Sequence, residues 1–86
     1  MEEYPILAGN QVALLRAAFD TGHVLDEDQR LAINSDQKVY TVFENIDEAL
    51  IAASEIINGN KNIECVIYDK DENPMHYLTY KDMNCL

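Results

Sequence analysis

Apolar positions recur along this chain with two different periods, and the changes of period divide it into elements. From Ile46 onward, Ala49, Leu50, Ala53 and Ile57 follow at offsets of three, four, seven and eleven residues, which places all five in one stripe of a helix. Asn45 stands just before the stripe with a side-chain oxygen suited to the free amides of a first turn, and Glu48 three residues on completes a capping-box pattern. Asn58 and Gly59 tolerate left-handed backbone and so supply a stop. The spacing predicts a helix over 46–58.

On either side the pattern changes. Residues 38–43, Lys-Val-Tyr-Thr-Val-Phe, and 63–68, Ile-Glu-Cys-Val-Ile-Tyr, are rich in β-branched and aromatic side chains and read as strands. Strand, helix and strand within about thirty residues form a βαβ unit over 38–69, with its strands parallel and its crossover right-handed. The run Asp69-Lys70-Asp71-Glu72-Asn73-Pro74 is dense in turn formers, and residues 75–80 return antiparallel as the second arm of a hairpin. Pro74 has no amide donor and suits the beginning of that strand. Residues 81–86 are expected to fray or to form an edge.

The first 37 residues carry a weaker signal. Val12, Leu15 and Phe19 suit one helical face, while Ala13, Leu14, Ala17 and Ala18 make the segment apolar nearly all round. The expectation is a helix over 11–20, capped by Asn10 and ended by a left-handed Gly22. Asp26-Glu27-Asp28-Gln29 then opens either a short capped helix or a loop. In the alternative, Leu31 and Ile33 are strand residues and Asn34-Ser35-Asp36 is a hairpin turn toward Val39. Taken together, residues 1–86 are expected to form one α+β domain. Its core is a small mixed β-sheet, the βαβ unit 38–69 plus a hairpin to 80, with one long helix on one face and an N-terminal helical or helix-plus-hairpin region over 1–37.

Composition narrows the function classes. Sixteen acidic residues against six basic ones give a formal net charge of −10, a field that repels phosphate backbones and anionic lipid headgroups. The cations Arg16, Arg30, Lys38, Lys61, Lys70 and Lys81 are scattered, so no basic patch offsets that repulsion. Nucleic acid and membrane surface are therefore poor partners, and a basic protein is a better one. Met1-Glu2-Glu3-Tyr4-Pro5 lacks the positive, then apolar, pattern of a secretory signal, and two cysteines are too few for a disulfide framework. A cytoplasmic protein is the expectation.

Candidate chemistry is sparse. Asp69-x-Asp71-x-Asn73 copies the first three ligand positions of a calcium loop, but Pro74 stands where that loop needs glycine and Tyr80 where it needs a bidentate glutamate. A solvated turn explains the string better. His23, His76, Cys65 and Cys85 show no spacing of a closed metal site. Cys65 alternates with Ile63 and Ile67, which reads as a small buried apolar group rather than a reactive thiol. Neither Ser35 nor Ser54 sits in a nucleophile elbow. Gly9, Gly22 and Gly59 have no nucleotide-loop spacing, so no nucleotide cofactor is proposed. His76, Tyr77 and Tyr80 suggest an acid/base group, yet strand alternation sends His76 and Tyr77 to opposite faces.

Carboxylates at Asp26-Glu27-Asp28 and from Glu44 to Glu48 suit helix starts, and the acidic surplus beyond them points to a partner. The leading expectation is a non-catalytic, acidic protein-interaction module docking on a basic protein surface, as an inhibitor or immunity-type protein does. A self-associating structural domain of a small bacterial protein, pairing as a homodimer through an open sheet edge, is the alternative. A small-molecule enzyme or ligand-binding domain ranks last, since no catalytic, cofactor or metal-binding residue stands out.

Overall fold

The computed structural model describes residues 3–34 and 36–83. Its elements are β1 (Val12–Ala18), β2 (Val24–Leu25), β3 (Tyr40–Phe43), α1 (Ile46–Gly59), β4 (Ile63–Tyr68), β5 (Pro74–Leu78) and α2 (Tyr80–Met83). One five-stranded sheet is built around β1. On one side of it β4 pairs along Ala13 to Ala18, and β5 lies outside β4. On the other side, β3 pairs with Val12 to Leu15 and β2 with Arg16 and Ala17.

Every ladder between these strands is antiparallel. Since β3 and β4 each oppose β1, they run parallel to one another with β1 lodged between them. The expected strand-helix-strand unit is therefore present in split form, and the mixed sheet becomes an antiparallel one.

The helix begins as its sequence dictates: the Asn45 side chain accepts from the amide of Glu48 at 2.9 Å. Ala49, Ala53 and Ile57 are fully buried against Val12, Leu14, Ile63, Cys65 and Ile67 of the sheet, with Ile46 and Leu50 half-buried beside them. The stop differs from expectation. Gly59 is not left-handed, and the helix runs into an extended Asn60 whose amide bonds the carbonyl of Ile56.

The largest correction concerns the N-terminal helix expected over 11–20, which is strand β1. Ala, Leu and Arg are good helix formers, but this segment is the centre of the sheet, with strands on both sides, α1 over one face and the apolar Ala13, Leu15 and Ala17 on the other. A strand in that position carries apolar residues continuously instead of alternately, and so imitates a buried helix. Gly22 is left-handed, with φ of 78°, but it serves the turn between β1 and β2. Asn10 caps no helix.

From Asp26 onward the chain takes the loop expected as one possibility, and neither the short capped helix nor strand pairing of Leu31 and Ile33 as a hairpin arm is realised. Asp26 to Gln29 form a turn in which the Asp26 carboxylate accepts from the amides of Asp28 and Arg30. Leu31 makes an isolated bridge to Leu25, and Ile33 is 81% exposed and outside any strand. Further on, β3 begins at Tyr40 rather than Lys38, β5 spans 74–78 with Pro74 at its start, and Tyr80 begins the short α2. Of the segment 81–86, residues 84–86, with Cys85, lie outside the described residues, as does Ser35.

Candidate functional site

The shortest extent of the molecule is 18 Å, room for one helix layer on one sheet layer and no third. Strand alternation then assigns each side chain. Val12, Leu14, Cys65, Ile67, Phe43 and Leu78 turn toward α1. Ala13, Leu15 and Ala17 of β1 turn the other way, in register with Tyr40 and Val42 of β3, with Glu64, Val66 and Tyr68 of β4, and, through Val66, with Tyr77 of β5.

No helix covers this second face among the described residues. The segment before β1 crosses part of it: the Tyr4 ring packs edge-on to Tyr40 and Tyr68, at centroid distances of 5.1 and 6.1 Å, and its hydroxyl donates to the carbonyl of Asp69. Four of the five tyrosines are thus gathered on one face, above a floor that includes the fully buried Ala13. The remainder is open. Val42 is 43% and Tyr77 55% exposed, and Leu15, Val66 and Tyr40 are half-buried. Beside β2, an apolar groove of about 360 Å³ lined by Val24, Leu31 and Ile33 borders the same side.

Carboxylates act on two of these rings, Tyr4 and Tyr77. Tyr77 is pushed above the usual tyrosine range by its hydrogen bond to Glu64, then by burial, with the negative charges of Glu64 and Asp82 adding to the effect. Tyr4 is pushed up to about 12, first by burial and then by Asp69 and Glu72. Both hydroxyls therefore stay neutral through the physiological range, and the field they report is negative. An apolar, tyrosine-rich centre with an acidic border is chemically suited to lysine and arginine side chains, whose stems lie on rings while their charges meet carboxylates.

The residues singled out for chemistry fall elsewhere. Asp69 Oδ1 accepts from the amides of Asp71 and Asn73, each at 2.9 Å, which closes the β4–β5 turn and holds its carboxyl below the usual carboxylate range. That is a structural occupation of the calcium-like string. Cys65 is fully buried, and burial pushes its thiol up to about 11. Ser54 donates to the carbonyl of Leu50 within α1. His76 pairs with Ile67 while Tyr77 pairs with Val66, so these neighbours do occupy opposite faces. His23 and His76 are exposed and not brought together with Cys65, and no group of three metal-ligating side chains is assembled among the described residues.

Two further clefts offer less. One of about 370 Å³ at the start of α1 is lined by Gln11, Asn45 and Asp69, but Asn45 caps the helix, Gln11 donates to Glu44 and Asp69 holds its turn. The other, about 490 Å³, is bordered by Asp26, Glu27, Asp28 and Asp36 with Arg30 and Lys38. Its Asp26 carboxylate is occupied by backbone amides and by Gln37, which hold it below the usual carboxylate range.

Sequence reasoning missed one buried cation. Arg16 is 3% exposed on the helix-facing side of β1, where its guanidinium donates to Thr41 Oγ1 and, at 3.4 Å, to the carbonyls of Leu14 and Val39. Thr41 in turn donates to Glu27, so the pair stitches the loop after β2 to β3, while Arg16 Nε has no partner. Burial lowers the Arg16 pKa, partly countered by Glu27. A lone arginine in a run of alanines and leucines is the signal that marked it. Comparison with family models, curated proteins and solved structures finds no match to this chain.

Proposed function

We propose that the protein is a non-catalytic interaction module whose open sheet face docks on a basic protein surface. The observation that supports this reading is the gathering of Tyr4, Tyr40, Tyr68 and Tyr77 on one uncovered face bordered by Glu64, Asp69, Glu72 and Asp82. Aromatic residues at the centre of a patch with charged groups at its rim are the usual composition of a protein interface. The net charge of −10 adds long-range steering of cationic partners, which weakens as salt rises. A cytoplasmic inhibitor or immunity-type protein acting on a cationic target fits this chemistry. No helix among the described residues is long and apolar enough to cross a membrane.

Deca-arginine is a suitable probe, followed by calorimetry at low salt and by amide chemical shifts. Binding is expected to move Val66, Tyr77 and Leu15. Replacing Tyr77 by Ala together with Glu64 by Gln is expected to weaken it about tenfold, equivalent to about 1.4 kcal/mol. The charge-matched control Glu55→Gln, exposed on α1, should leave it within about twofold. Equal weakening by both variants means that bulk charge alone attracts the probe, and the reading fails.

A further inference from the structure

The open face ends at β5, and β5 is a sheet edge of unusual composition. Its residues, Pro74 to Leu78, contain no lysine, arginine, aspartate or glutamate, and the first four are all exposed. Edge strands are normally blunted by charges pointing along the edge, by a proline or bulge within the strand, or by a covering element. Here Pro74 and the unpaired Met75, where the register shifts opposite Tyr68, lie at the beginning, which leaves His76 to Leu78 regular. Among the described elements, β4 is the one that β5 packs against extensively.

An added strand would lie about 4.8 Å beyond β5, with alternate side chains level with Tyr77 on the open face and the others level with His76 and Leu78 on the helix side. On the open face Glu64, two residues from Val66 on β4, interacts with Tyr77, and Asp82 acts on the same ring. Asp71 and Glu72 precede the edge in the turn. A second copy of this chain would bring another ten net negative charges to an edge already bounded by carboxylates. A cationic strand meets complementary charge.

We propose that β5 takes up an extended, basic strand of a partner protein by edge-to-edge β-pairing, which sets the partner's lysine or arginine side chains beside Tyr77 and Glu64. This rests on the docking reading above and specifies the form of the partner. Main-chain hydrogen bonds then supply affinity, and the tyrosine-carboxylate row selects cations at every second position.

The test uses an eight-residue peptide alternating arginine with valine, two N-methylated versions of it blocking one or the other alternate set of amides, and deca-arginine. Binding of the alternating peptide is expected to slow hydrogen exchange of β5 amides at least tenfold. One methylated version should bind at least tenfold more weakly and the other within about threefold, because one edge of a docked strand faces β5 and the other faces solvent. Equal binding by both versions, with Tyr77 and Val66 signals shifting but no β5 protection, overturns strand addition while leaving face docking intact. Failure of every peptide to bind at low salt overturns both. A dimer in sedimentation of the protein alone, with β5 amides already protected, assigns the edge to a second copy and also overturns the proposal.

Discussion

Two isoleucines on the same helix provide a sharp test of the packing. Ile57 is fully buried between α1 and the sheet, whereas Ile51 is 62% exposed on the opposite side. Truncating either to alanine removes the same three carbon atoms. At Ile57 the lost transfer energy is about 2.4 kcal/mol at about 0.8 per carbon, and the cavity left under a fixed sheet raises the cost to about 3 to 4 kcal/mol. At Ile51 little apolar contact is lost, and the better helix propensity of alanine offsets it, so the change should stay within about 0.5 kcal/mol. A domain of this length has a total stability of about 4 to 13 kcal/mol. Ile57→Ala should therefore lower the melting temperature by roughly 12 to 25 °C and Ile51→Ala by little or nothing. Urea denaturation followed by far-ultraviolet circular dichroism measures both, with unchanged m-values confirming that the folded states are comparable. Similar losses in the two variants, or a loss below about 1 kcal/mol for Ile57→Ala, would mean that the helix buries a different face.

The tyrosine face has an alkaline signature. Because the Tyr4 hydroxyl is raised to about 12 in the folded protein, its contribution is complete below pH 10 and is lost as the pH climbs from 10 to 12. Tyr4→Phe should cost about 1 kcal/mol at neutral pH through the lost bond to Asp69, and should flatten the stability slope in that alkaline window, both read from denaturation curves. The Cys65 thiol, buried and raised to about 11, should react with an aromatic disulfide reagent no faster than the domain unfolds at pH 8. Labelling of Cys65 at the rate of a free thiol would contradict its place in the core.

The α1 segment was legible because its stripe, cap and flanking strands all agree, and β4 follows the pattern at both ends. In β1 the residues themselves mislead. Arg16, Ala17 and Ala18 favour a helix in isolation, and no alternation betrays a strand whose open-face residues, Ala13, Leu15 and Ala17, are apolar as well. Placing β1 depends on contacts with β3 and β4, which local sequence does not encode. The candidate site was hidden for the same reason. Tyr4, Tyr40, Tyr68 and Tyr77 come from four separate segments, and they share a face only once β1 is set between its neighbours.

Lodging β1 between β3 and β4 also governs how the chain can fold. Its partners on β4 lie about fifty residues away in sequence, so the middle of the sheet closes one of the longest loops available to a chain of this length. The local unit of β3, α1 and β4 lacks its central strand until the N-terminal segment inserts, and on the ribosome β1 emerges first yet waits for residue 68 before its main ladder is complete. Folding should accordingly be slow for so small a protein, on the order of milliseconds to seconds. During that interval the apolar run of β1 is the segment most in need of protection from wrong partners.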